Sequence, residues 1–170
     1  MASVMTSRTV REAADTCERS FRFLVEEFEY RADPTRFDSG GFAVRYLGSV
    51  LGVEVDWYPR DPLTVWLVRL VDGDFPERAS VRPAATLNYF DLEDVEAISN
   101  KTRQVESLQL YALPNEENAD LLAANLKSCA SDLLRGDLSR MPELERRILA
   151  RARAVAVERY GVEGAARLGW

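Results

Sequence analysis

The chain has 170 residues, 46% of them hydrophobic and 29% charged, which is enough to bury one sizeable core as a single domain. It contains no histidine, and its 22 Lys plus Arg stand against 28 Asp plus Glu for a formal net charge of -6. Ser-His-Asp and Cys-His catalysis and every His-containing zinc or non-haem iron site are therefore excluded, and the electrostatic footprint of non-specific nucleic-acid binding is missing.

Met1-Ala2-Ser3-Val4-Met5-Thr6 has no basic stretch followed by an apolar run, so no signal peptide is expected. Nothing approaches the ~18 consecutive apolar residues of a membrane span, and the expected location is the cytoplasm. Apolar residues recur from Ser7 to Tyr30 at Val10, Ala13, Ala14, Cys17, Phe21, Leu24 and Phe28, steps of three and four that predict one helix. Asp33-Pro34 stops it, because the residue before proline is disfavoured in the α region. Cys17 and Cys129 are far apart with no CxxC pair, and they read as small buried apolar residues on helix stripes.

After the Ser39-Gly40-Gly41 turn, Phe42, Val44 and Tyr46 alternate with Ala43, Arg45 and Leu47 as a strand does. Val53, Val55 and Trp57 alternate with Glu54, Asp56 and Tyr58, and Leu63 to Val71 runs almost entirely apolar beyond the turn Pro59-Arg60-Asp61-Pro62. A four-residue loop would set Tyr58 opposite Leu63, Trp57 opposite Thr64, Val55 opposite Trp66 and Val53 opposite Val68. That register places Glu54 and Asp56 on one face with Val65, Leu67 and Arg69. Residues 75–85 read as a loop or irregular edge, Thr86 to Phe90 as a fourth short strand, and Asp91 as the cap of a short helix through Ile98. Residues 99–113 carry no clear period; a partly ordered linker ending in a short strand or helix around Ser107 to Leu113 is expected. A second long helix starts at Pro114-Asn115-Glu116-Glu117, buries Ala119, Leu122, Leu126, Cys129, Ala130 and Leu133, and ends at Gly136. A third runs from Pro142 to about Tyr160 with Leu144, Ile148, Ala152 and Val155 inward, closed by Gly161. The expectation is a single α+β domain over 1–170, ordered from about 7 to 160 with a mobile tail over 161–170. It comprises an N-terminal helix, an antiparallel sheet of about four strands and a C-terminal helical pair.

No phosphate loop, GxGxxG, GxSxG or HExxH occurs. What remains for catalysis is a carboxylate pair, as in glycosidases or divalent-metal nucleases, and the candidates are Glu26 with Glu27, Glu54 with Asp56, Asp72 with Asp74, and Glu93, Asp94 and Glu96, of which Glu54 and Asp56 share a strand face. Carboxylates spaced by two on a strand are also ordinary solvent-face residues. Asp72-Gly73-Asp74 resembles a fragment of a calcium loop but continues Phe75-Pro76-Glu77 without the downstream bidentate glutamate, so it reads as a turn. No catalytic, cofactor-binding or metal-binding residue is assigned. Charge is polarised along the chain: residues 26–96 hold 15 acids against 7 arginines, and residues 135–170 hold 8 arginines against 5 acids. A one-signed patch speeds association with an oppositely charged partner, although net charge also serves solubility. The basic third helix lacks a bulky aromatic wedge before Tyr160 and is diluted by Glu143, Glu145 and Glu158, which favours an ordinary packed helix over a membrane or nucleic-acid surface. The candidate protein interface is the outer face of the 53–71 hairpin and its turn: Glu54, Asp56, Val65, Leu67, Arg69, Asp72 and Asp74.

Phe21-Arg22-Phe23-Leu24-Val25-Glu26-Glu27-Phe28, Asn88-Tyr89-Phe90-Asp91-Leu92 and Leu133-Leu134-Arg135-Gly136-Asp137-Leu138-Ser139-Arg140-Met141-Pro142-Glu143-Leu144 resemble small uncharacterised bacterial proteins encoded near polymorphic toxins and regarded as immunity proteins. The resemblance implies a compact α+β domain, no cofactor, and inhibition of a cognate toxin by direct binding. It brings no catalytic residues. The reading is a non-catalytic bacterial binding protein with a protein partner, a basic toxin domain, and with neither nucleic acid nor membrane. The alternatives are a carboxylate-dependent divalent-metal hydrolase or nuclease, and a structural or adaptor subunit of a bacterial assembly.

Overall fold

A computed structural model of the chain describes residues 7–99 and 111–170. Helix α1 (Ser7–Ser20) buries Val10, Ala13, Ala14 and Cys17 along the stripe that its spacing dictates. The single helix expected to Tyr30 is two: the chain turns at Phe21 and Arg22 and resumes as α2 (Phe23–Phe28). At the break the amides of Arg22 and Leu24 reach back three residues, to the carbonyls of Arg19 and Phe21. This tighter turn lets Phe21 and Leu24 both point into the core, where neither has any exposure. Glu29, at φ 60°, then reverses the chain, and the Tyr30 amide closes the helix end on the Leu24 carbonyl at 3.0 Å.

Five antiparallel strands follow, each paired with its neighbour in sequence: β1 (Arg31–Asp38), β2 (Gly41–Leu47), β3 (Leu51–Trp57), β4 (Thr64–Arg69) and β5 (Tyr89–Asp91). The extra strand over the expected four is β1. It is an edge strand, exposed along most of its length, it contains Pro34, and its pairing with β2 slips by one residue between Asp33 and Arg36. Helix α3 (Leu92–Ile98) leaves β5 directly, with Asp91 Oδ1 accepting the Glu93 amide at 2.9 Å. Helix α4 (Glu116–Leu134) is capped in the same way by Asn115 Oδ1, which accepts the Asn118 amide at 2.9 Å. Helix α5 (Met141–Arg167) completes the α+β fold.

One sheet face forms the core. Phe42, Val44 and Tyr46 of β2, Val53, Val55 and Trp57 of β3, Val65 and Leu67 of β4 and Phe90 of β5 pack with Phe21, Leu24, Leu92, Leu122, Leu126, Leu133 and Leu144 of the helical layer. Helix α1 lies against β2 and α4, while α3 joins β4 and β5 to α4 and α5. The β3–β4 register differs from expectation by one residue: Glu54 faces Trp66, Val55 faces Val65 and Val53 faces Leu67. The six residues between the strands, 58–63, open with a turn over Tyr58 to Asp61 that is closed by the Asp61 amide on the Tyr58 carbonyl at 3.0 Å, with Arg60 at φ 80°. Pro59 at its second position and a positive φ at its third are the type II geometry. Since strand side chains alternate, this slip transfers Val65 and Leu67 from the outer face to the core and puts Trp66 outside in their place.

Two helical expectations also change. In α5 the inward series continues at steps of four, Leu144, Ile148 and then Ala156, with Ala152 half-buried and Val155 facing out at 55% exposure. Gly161, at φ 71°, breaks α5 as expected, but helix resumes beyond it to Arg167 and buries Ala165. Residues 75–85 are irregular, and the expectation for Ser107 to Leu113 falls largely outside the described residues.

The observed register predicts that Leu67→Ala costs about 2–5 kcal/mol, as a core truncation does, whereas Val155→Ala stays within about 0.5 kcal/mol. Urea denaturation checks both, and a near-neutral Leu67→Ala would mean that the residue faces out. Cys17 is fully buried, and burial together with the nearby Glu18 carboxylate pushes its thiol up to about 12. It should resist thiol reagents at pH 8 until the chain is denatured.

Candidate functional site

Among the described residues, no helix lies on the outer sheet face. Ala43, Arg45 and Leu47 of β2 lie beside Gly52, Glu54 and Asp56 of β3, then Thr64, Trp66 and Val68 of β4, then Tyr89 of β5. Residues 70–88 cross this face as an irregular strap. Gly52 makes room for it: a Cβ there would come within 2.6 Å of the Phe75 ring. Phe75 in turn stacks under the Arg45 guanidinium, 4.7 Å from ring centre.

Arg78 is the strap's main contact with the sheet. Its guanidinium carbon sits 4.4 Å from the Trp66 ring centre and 4.8 Å from that of Tyr89. Its Nη2 donates to Glu54 Oε1 at 2.5 Å and to Asp56 Oδ2 at 2.9 Å. Arg45 Nε donates to the other Glu54 oxygen at 2.5 Å, Trp66 Nε1 donates to Asp56 Oδ1 at 3.2 Å, and Tyr89 donates its hydroxyl proton to the Pro76 carbonyl at 2.9 Å. Glu54 and Asp56 are only 3% and 7% exposed, so two arginines and one indole supply what water no longer does. Burial still holds the Asp56 carboxyl above its ordinary range, against the opposing pull of Arg78. Burial acts to lower the Arg78 guanidinium, and Asp56 with Glu54 more than offsets it.

The residues expected to share one interface are therefore divided. Glu54 and Asp56 lie under the strap, Val65 and Leu67 are in the core at 1% and 0% exposure, and Asp72 and Asp74 are exposed on the turn after β4. Arg69 reaches the other way, donating to Glu145 Oε1 at 2.8 Å and the Leu87 carbonyl at 3.2 Å. The expected apolar patch ringed by acids does not form, because the one-residue slip separates its apolar and acidic members. Sequence reasoning missed Arg45, Trp66, Arg78 and Tyr89. Arg45 had a signal, a lone cation on a strand next to one bearing two acids; Arg78 had none, since its segment has no period.

A second buried carboxylate joins helices. Asp94 has no exposure, Arg147 Nε donates to its Oδ1 at 3.2 Å, and Arg151 Nη2 lies 2.8 Å from Oδ2 as an ion pair off the hydrogen-bonding angle. Burial raises this carboxyl, opposed by Arg151 and then Arg147. Arg140 similarly donates to both Asp132 oxygens, at 3.1 and 3.0 Å, and to the Cys129 carbonyl at 2.9 Å. Arg140, Arg147 and Arg151, three of the eight arginines of residues 135–170, are thus paired with acids of the fold. Among the described residues there is no group of three or more acidic or cysteine side chains able to hold a metal ion, and no helix long and apolar enough to cross a membrane. No family model matches the chain, and neither a curated protein nor a solved structure does.

Glu54→Gln should cost on the order of 3 kcal/mol, because it strands the half-buried Arg45 and half-frees Arg78. Asp56→Asn should cost less, since it also removes a charge that burial disfavours. A carboxyl raised in the folded state binds its proton more tightly there than when unfolded, so Asp56 contributes stability that declines as pH rises from 3.8 through its raised value. Thermal melts across acid pH check this: the Asp56→Asn curve should lack that decline.

Proposed function

We propose that the chain is a non-catalytic bacterial binding protein that neutralises a basic protein partner, a toxin domain, by direct contact. One observation carries the reading: Glu54 and Asp56, the carboxylate pair an acid-base or metal-dependent enzyme would need, are covered by the strap and matched by Arg45 and Arg78. Carboxylates already paired with guanidinium groups and shut off from solvent cannot also ligate a metal or activate water. The acids left on the surface include Asp72 and Asp74, on a turn beside Val71, which is 47% exposed. An apolar residue flanked by exposed acids suits a basic partner and gives it an electrostatic approach. The resemblance of three sequence stretches to immunity proteins supplies the toxin as the class of partner.

Mg²⁺, Mn²⁺ and Zn²⁺ should leave the melting temperature unchanged, and the isolated chain should turn over no nuclease, glycosidase or esterase substrate. The reading frame beside it should encode a toxin, co-expression of the two should restore growth, and the purified pair should elute as a complex whose association slows when Asp72 and Asp74 are changed to lysine. Metal-dependent turnover abolished by Glu54→Gln overturns the reading.

A further inference from the structure

Two carboxylates and two aromatic rings around one guanidinium make a complete recognition site for an arginine side chain, and here the chain's own Arg78 fills it. The walls stand on neighbouring strands: Glu54 pairs directly with Trp66, Asp56 lies two residues along β3, and Tyr89 sits diagonally across β5. The sheet therefore holds the cage whether or not the strap is in place. The occupant is attached far less firmly. Residues 77–86 have no regular structure, and among the described residues their only hydrogen bonds and ion pairs to the rest of the chain go through the Arg78 side chain. What holds such a segment closed is the Arg78 pairing itself, and a competitor for that pairing opens it locally.

We propose that this cage is a docking site for an arginine of a basic protein partner, which takes the place of Arg78 as the strap 77–86 swings off. The charge arithmetic favours such an exchange. With Arg78 withdrawn, the two carboxylates keep one cation, Arg45, and the cage is one positive charge short. Arginine fits and lysine does not, because the site uses a planar group that stacks on Trp66 and Tyr89 while its edge reaches both acids. Arg78 competes from within the chain at an effective concentration in the millimolar range, so a free arginine displaces it poorly and one held in place by a docked protein displaces it readily. The inference rests on the binding-protein reading and names what the partner must present; a cage that fails to bind in trans leaves that reading standing on other surfaces.

The probe is N-acetyl-arginine-N-methylamide, with the blocked citrulline and blocked lysine as controls. In Arg78→Ala, blocked arginine should shift the Trp66 indole N–H resonance saturably, at least about tenfold more tightly than in the parent chain, and neither control should do so. Adding Glu54→Gln and Asp56→Asn should abolish the shift. A folded Arg78→Ala variant that shows no saturation, or that responds equally to citrulline, overturns the proposal. The second arm uses the unaltered chain and does not depend on how the variant folds. Blocked arginine at tens of millimolar should accelerate amide hydrogen exchange across 77–86 relative to blocked citrulline, and equal rates overturn the displacement.

Discussion

Burying a carboxylate costs several kcal/mol unless a cation is buried with it, and β3 brings two of them to a face that, among the described residues, no helix covers. Arg45 meets one oxygen of Glu54 from the adjacent strand, but the remaining oxygens need a donor from elsewhere. Arg78 is that donor, and its position determines the path of the whole irregular segment between β4 and β5. Phe75, Pro76 and Leu87 fix its two ends, and between them, over 77–86, a single guanidinium does the work that backbone pairing does in the rest of the sheet. The Trp66 and Tyr89 rings on either side of it make the arrangement specific to arginine, since an ammonium group could satisfy the charge but not the stacking.

The two faces of the sheet are thus built by different physics. The inner face is closed by apolar side chains from five helices, and its stability is distributed over many contacts. The outer face is closed by Phe75 and Leu70 over Gly52 and, beside them, by charge-assisted hydrogen bonds concentrated on Arg45, Glu54, Asp56 and Arg78. Asp94 repeats the outer solution at the α3–α5 junction, with Arg147 and Arg151 in the role of Arg45 and Arg78.

Most of the helical layer was legible in the sequence because its stripes repeat: every expected core position of α4, from Ala119 to Leu133, is buried, and Asp91 and Asn115 cap the helices they precede. The sheet was legible as strands but not as a register. The six residues between β3 and β4 set a register one residue away from the expected one, and the alternating pattern reads equally well in either register because both faces of β4 carry large apolar residues. β1 left no trace because Arg31, Asp33, Arg36 and Asp38 give it the composition of a loop. The candidate site was half visible: Glu54 and Asp56 stood out, while the residues that complete it come from an aperiodic segment and from the face on which Trp66 was not expected.

The strand that left no trace also governs how copies of the chain behave toward one another. An edge with unpaired amides and carbonyls is a template on which another strand can add, and repeated addition leads to fibres. β1 is such an edge over eight residues. Pro34 has no amide to offer, the slip between Asp33 and Arg36 interrupts the spacing an incoming strand would need, and the charges alternate in sign along the exposed rim. The same polar composition that hides the strand from a pattern reader makes it a poor template, so the sheet ends there on an edge that offers an incoming strand little to pair with.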